Sequence, residues 1–175
     1  MENIKNMQHK NIAANLLKKL LEGNIRIFKK TNVVKSELFS EKLERLMKMY
    51  NNRLIDSAEV IEQLMLLSKE IVEASNEGME KGLSTDEYAF YTALVKDPTV
   101  LQEMKDEVLI KLAHELTETV RKSRTVDWDK KESARAYMRK VVKRLLRYYD
   151  YPPKNADEAV AIVIKQAELM SANIL

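Results

Sequence analysis

Cysteine is absent and histidine occurs only twice. The first absence excludes disulfide scaffolds, thiol nucleophiles and cysteine-ligated zinc or iron–sulfur centres. The second excludes a histidine-rich metal site. Glycine and proline each occur three times in 175 residues, too few for the many tight turns of a barrel or sandwich. Gly23, Gly78 and Gly82 match neither G-x-x-x-x-G-K-S/T nor G-x-G-x-x-G, so nucleotide binding through those two loops is excluded. No apolar run approaches the roughly 18 residues of a membrane span. The start, MENIKNMQHKN, has no apolar signal-peptide core. These features together predict a soluble, cytoplasmic chain without membrane contact.

What is present is helical periodicity. Hydrophobic residues make up 45% of the chain, enough for a real core. Apolar positions recur near every 3.6 residues almost throughout. The spacing predicts helices over about Asn11–Glu22, Ser36–Asn51, Asp56–Asn76, Ser84–Leu94, Leu101–Arg121, Lys131–Tyr149 and Ala156–Ser171. Gly23-Asn24 is expected to stop the first, and Ile25–Val34 reads as irregular or briefly extended. Gly78–Leu83 reads as a loop. Asp56 with Glu59, Ser84 with Glu87, and Asn155 with Glu158 have capping-box spacing. The last helix is apolar on nearly all sides and is placed in the middle of the bundle. The expected architecture is all-α, a compact orthogonal or irregular bundle of about seven helices in a single domain, 1–175, with about ten disordered residues at its start. The abrupt polar start fits either a small protein or a fragment of a longer chain.

The net charge of +3 is too small to identify a nucleic-acid binder, but it hides an asymmetry. From Arg121 to Arg147 there are eleven basic and three acidic residues, a local charge of +8, leaving −5 for the rest. On a wheel of about 100° per residue, Ala134, Met138, Val141, Val142, Leu145 and Tyr149 take one side of the helix after Asp129. Arg135, Arg139, Lys140, Lys143, Arg144 and Arg147 take the other. Arg135 to Arg147 spans roughly 18 Å, enough to meet several phosphates in a salt-dependent, sequence-blind way. Lys130 and Lys131 extend the stripe. The plainer reading is a solvated face that offsets acidic neighbours.

Other candidates have plain alternatives. Asp127-Trp128-Asp129-Lys130-Lys131 contains a D-x-K triplet of the restriction-nuclease kind, but it lies between helices with no sheet to hold metal ligands. Asp129 reads instead as an N-cap, with Glu132 three residues on. Trp128 could stack on a base, although a lone Trp more often fills a core beneath a loop. Tyr148, Tyr149 and Tyr151 could line a ligand surface or anchor the Pro152-Pro153 turn, and the anchor is favoured. His114-Glu115 is not H-E-x-x-H, because Glu118 stands at the later position, and it reads as a surface histidine. The nine methionines read as core filler. The residues define no nucleophile with a base, no catalytic carboxylate pair and no metal cluster.

The segment DWDKKESARAYMRKVVKRLLRYYDYPP resembles a recurrent stretch in the C-terminal helical region of the motor (R) subunit of type I restriction–modification enzymes. The matching residues are Asp127, Trp128, Lys131, Glu132, Ser133, Arg135, Ala136, Val142, Lys143, Arg144, Leu145, Leu146, Arg147, Tyr151, Pro152 and Pro153. NIAANLLKKLL, FSEKLERLMKMYNNR and GLSTDEYAFYTAL resemble the same family, so the likeness runs from about Asn11 to Ala167. Two departures stand out. Asp150 occupies the place of an expected Gly before Tyr-Pro-Pro, and Tyr137-Met138 vary the helix.

The resemblance implies a much longer parent, a type I site-specific deoxyribonuclease with ATPase activity, whose other domains use ATP and magnesium to translocate and cleave DNA. It implies a chain that is no enzyme by itself, needs no cofactor and carries no catalytic residues. Its implied role is docking the motor subunit onto the methyltransferase and specificity subunits and contacting the parent's other domains. DNA contact through Lys130, Lys131, Arg135, Arg139, Lys140, Lys143, Arg144 and Arg147 is possible under this reading, with Trp128, Tyr151, Pro152 and Pro153 structural. The alternatives are a stand-alone helical adaptor or a small helical nuclease.

Overall fold

The computed structural model describes residues 2–123 and 128–173, without the side chains of residues 2–7 and Asp129. Among these residues there are eight α-helices and no strand: α1 (Glu2–Thr31), α2 (Val33–Asn51), α3 (Ser57–Glu80), α4 (Thr85–Leu94), α5 (Val100–Glu103), α6 (Asp106–Ser123), α7 (Glu132–Tyr148) and α8 (Pro153–Ala172). A single 3-10 turn, Trp128–Lys130, precedes α7. No helix among the described residues is long and apolar enough to cross a membrane. The chain divides into two compact units, one comprising residues up to Lys29 with Lys35–Glu77, the other comprising Lys30–Val34 with Gly78–Leu175.

The first unit is built from α1, α2 and most of α3. Its core takes Ala14, Leu21, Ile25 and Phe28 from α1, Phe39, Leu43 and Met47 from α2, and Val60, Leu64, Leu67, Ile71 and Ala74 from α3. Steps of three, four or seven residues keep each set on one helix face. This explains why α1 does not stop at Gly23. Ile25 and Phe28 continue the buried face set by Leu21, and packing overrides the roughly 1 kcal/mol that a helical glycine costs. The stretch 25–31 is therefore helical, not irregular, and α1 also begins upstream of Asn11. Phe28 and Phe39 meet with ring centroids 5.5 Å apart.

α2 ends at Asn51, as the sequence predicts. Arg53 then takes a left-handed φ of 57°, and the Leu54 N–H donates to Met49 O at 2.9 Å, the closing bond of a Schellman-type stop. The first capping box forms: Asp56 Oδ1 accepts from the N–H groups of Ala58 and Glu59, and Glu59 Oε2 accepts from Asp56 N.

In the second unit, α4 is the innermost helix, with every residue from Tyr88 to Leu94 buried. It packs against α6 and α8, and α7 packs against α6 and α8. The expected central place of α8 is corrected by its exposed edge at Ala161 and Lys165. The Ser84–Glu87 capping box forms in both directions. The turn before it is shorter than the Gly78–Leu83 loop expected, because α3 runs on to Glu80. Gly82 closes that helix at φ +70°, with Leu83 N–H donating to Gly78 O at 2.8 Å. A Cβ at Gly78 would lie 2.8 Å from Tyr88 Cγ, so only glycine lets the Tyr88 ring approach α3 this closely.

The single helix expected over Leu101–Arg121 is two helices. Met104 is extended, at φ −123° and ψ 143°, and α6 starts afresh at Asp106. The break puts the Asp106 carboxylate in a helix first turn, a favourable place for negative charge. There it accepts from Tyr91 Oη at 2.5 Å and Lys81 Nζ at 2.8 Å.

The third capping box does not form. α8 starts with Pro153 at its first helical position, for which proline is preorganised, and Pro152 is the N-cap. Asn155 falls inside the first turn, and its Nδ2 donates to Asp97 Oδ2 at 2.7 Å.

Candidate nucleic-acid interface

α7 carries most of the candidate residues. Met138, Val141, Val142 and Leu146 are buried along one face, with Ala134, Leu145 and Tyr149 packed beside them. Tertiary burial of this stripe makes the helix, because its N-terminus lacks a side-chain cap. The N-cap is Lys131, extended and without a capping hydrogen bond, which corrects the expected cap at Asp129. Arg124 and Asp127 lie outside the described residues.

At its other end α7 is stopped by a left-handed residue. Asp150 has φ 54°, and Tyr151 N–H donates to Leu146 O at 3.0 Å. This accounts for the expected glycine at that position: the turn needs a positive φ, which glycine adopts without strain and aspartate tolerates. Tyr151 and Pro152 are buried behind it. Tyr151 Oη donates to Leu94 O at 2.6 Å, and burial pushes its phenol well above the ordinary value. Pro153 is exposed at the first helical position. The three tyrosines do different things. Tyr151 anchors the corner. Tyr149 is half-buried and donates to Glu115 Oε1 at 2.5 Å, a bond that pushes its pKa to about 12. Tyr148 is 79% exposed.

The basic stripe also divides. Arg135 pairs with Glu168 of α8 at 2.7 Å, Lys143 pairs with Asp157 of α8 at 3.3 Å, and Arg139 pairs with Glu132. Lys140, Arg144 and Arg147 are exposed, and none of them forms an ion pair with a described residue. Lys131 is exposed at the helix start, and Lys130 is exposed in the 3-10 turn. The face that could meet phosphate is therefore narrower than the eight residues suggested by charge alone. The acids Glu168 and Asp157 could not be read from a wheel of α7, because they come from another helix. Glu132 could have been, seven residues before Arg139.

Trp128 is buried. Its Nε1 donates to Ser171 Oγ at 2.8 Å, and that hydroxyl donates to Ala167 O at 3.1 Å. Its ring is used in the core and is closed to a base. His114 lies on the surface with Nδ1 2.5 Å from Glu87 Oε1. Among the described residues, no group of three or more His, Cys, Asp or Glu side chains could hold a metal ion. An open cleft of about 750 Å³ between α1 and α2 in the first unit is lined by Arg26, Lys29 and Lys48. Glu22 and Glu44 line it too, so it presents mixed charge and has no single ligand sign.

Residues 1–173 match the family described as type I restriction enzyme HindI endonuclease subunit-like, C-terminal. The chain is 37% identical, over 174 residues, to the type I restriction enzyme HindI endonuclease subunit of Haemophilus influenzae, covering 99% of this chain and 16% of that protein. It is 33% identical, over 149 residues, to a protein of Methanocaldococcus jannaschii provisionally named the type I restriction enzyme MjaIXP endonuclease subunit, covering 83% of this chain and 14% of that protein. The chain thus spans about one-sixth or less of the length of these relatives. No solved structure matches.

Proposed function

We propose a function from one premise: the chain belongs to the type I restriction enzyme HindI endonuclease subunit-like, C-terminal family. On this reading it is a binding region of a restriction endonuclease subunit. It docks that subunit to the methyltransferase and specificity subunits and meets the DNA backbone through the outer face of α7. ATP-dependent translocation and cleavage would belong to other regions of the parent. The observation that carries the DNA contact is the division within α7. Three cations are held by the protein's own carboxylates, while Lys140, Arg144 and Arg147 face solvent on one side of the helix. Side chains that neutralise phosphates release counterions, so the contact should weaken steeply with salt.

The test is a duplex-DNA titration at low and moderate salt, comparing wild type with Lys140→Glu, Arg144→Glu and Arg147→Glu combined. Loss of binding in the variant, with a salt slope shallower by up to about 3 for three lost phosphate contacts, is the expected result. A variant that binds like wild type would remove α7 from DNA and leave the adaptor reading. Co-sedimentation of the chain with a purified methyltransferase complex tests the docking half, and failure to associate would sink it.

A further inference from the structure

We infer that the outer face of α7 takes single-stranded nucleic acid, with Tyr137 and Tyr148 as stacking platforms flanking a cationic track. This rests on the phosphate-contact reading above and goes beyond it by assigning strandedness. Tyr137 is 59% exposed and Tyr148 is 79% exposed. At about 100° per residue, eleven positions bring the two attachment points to within roughly 20° of each other around the helix. Along the axis they are about 16 Å apart. Arg144 falls in the same arc, and Lys140 and Arg147 flank it on one side. The only other outward position of α7 in that arc is Ser133, so α7 itself puts no carboxylate there.

The Tyr148 ring is set before any ligand arrives. It stands nearly perpendicular to Tyr149, with centroids 5.3 Å apart. Tyr149 is in turn held by its hydrogen bond to Glu115. A positioned, solvent-exposed ring beside unpaired guanidinium groups is the element that single-strand binders use, since stacking needs an open base face and phosphates need nearby cations. A duplex satisfies the cations but keeps its base faces inside the stack, leaving both rings without a partner. Two attachment points about 16 Å apart along the helix, with cations between them, suit a short strand of a few nucleotides. Tyrosine and arginine are also common in protein interfaces. Three cations that form no ion pair with a described residue, and have no acid beside them on α7, favour a polyanion.

The experiment is fluorescence anisotropy on the whole chain with a short labelled oligo-dT strand and a labelled duplex of equal length. The variants are Tyr137→Ala with Tyr148→Ala, the corresponding Phe pair, and the triple charge reversal. Both tyrosines are exposed, so the variants should fold, and circular dichroism checks this. Wild type should prefer oligo-dT. The Ala pair should weaken oligo-dT binding by about tenfold or more while leaving the duplex nearly unchanged, and the Phe pair should restore it. Equal affinity for both DNAs, with the Ala pair neutral, overturns the inference while the phosphate-contact reading stands. Absence of binding to either DNA overturns both. If the Ala pair then weakens association with the methyltransferase complex, the face is a protein surface.

Discussion

Gln166 in α8 holds the backbone at the α1–α2 junction with both ends of its amide. Its Oε1 accepts from Val33 N–H at 2.9 Å, and its Nε2 donates to Thr31 O at 3.0 Å. The residue is 1% exposed. Replacing it with Leu keeps the volume and strands a donor and an acceptor where water is excluded, a cost of about 2–4 kcal/mol. Urea unfolding followed by the fluorescence of Trp128, the sole tryptophan and a core residue of the second unit, reads the loss directly. A midpoint unchanged from wild type would show that water replaces the amide without penalty.

Glycine should be tolerated in opposite ways at two sites. Asp150→Gly should raise stability by up to about 1 kcal/mol, because the left-handed φ of 54° strains any side chain. Gly78→Ala should lower it by about 1–3 kcal/mol, since the new Cβ runs into the ring base of Tyr88. The same fluorescence assay checks both, and signs opposite to these would contradict the backbone geometry.

Stability of the second unit should fall at both pH extremes. For Asp106, burial pushes the carboxyl upward, but hydrogen bonds from Lys81 and Tyr91 outweigh it and hold it below its ordinary value. Glu87 is held low by the Ser84 backbone N–H, with help from His114. In the pH range just below about 4 the unfolded chain therefore binds more protons. The stabilising contribution is complete above about pH 5 and is lost as pH falls through the lowered folded values. Tyr91 is the reverse case: burial and Asp106 push it up to about 12, so its contribution is present below about pH 10 and lost as pH rises through 12. Asp106→Asn should flatten part of both limbs in urea midpoints measured from acid to alkaline pH. Unchanged limbs would show that the Lys81–Asp106–Tyr91 cluster does not titrate with folding.

Neutralising the paired cations should affect stability and spare DNA. Arg135→Gln with Lys143→Gln breaks partly exposed pairs worth less than about 1 kcal/mol each, and the salt slope of duplex binding should stay close to wild type. A slope that drops as far as with the Lys140, Arg144 and Arg147 reversal would erase the division within α7.

The helices were legible where one buried face repeats. α3 and α7 appear nearly where periodicity puts them, and two capping boxes form as spaced. The errors lie where tertiary contacts override a local sign. Gly23 has a stop signal's identity, yet Ile25 and Phe28 give the helix a reason to continue. Met104 has no breaker's identity, yet the chain extends there to deliver Asp106 to Lys81 and Tyr91. The basic stripe was legible as charge, and its division was not, because Glu168 and Asp157 reach α7 from α8. The wheel already put Tyr149 with the apolar side of α7, whereas Tyr148 and Tyr151 are told apart only by the corner, which buries one ring and leaves the other in solvent.

Lys30–Val34 belongs with residues 78 onward, although the sequence on both sides of it belongs with the first unit. Gln166, Thr92 and Asn173 all bond to this short stretch. Neither unit is therefore encoded by one continuous run of codons. A single crossover, truncation or domain graft at residue 77 would separate the second unit from five of its own residues. Recombination can move this region between parent subunits only as a whole, so the pair should be inherited together.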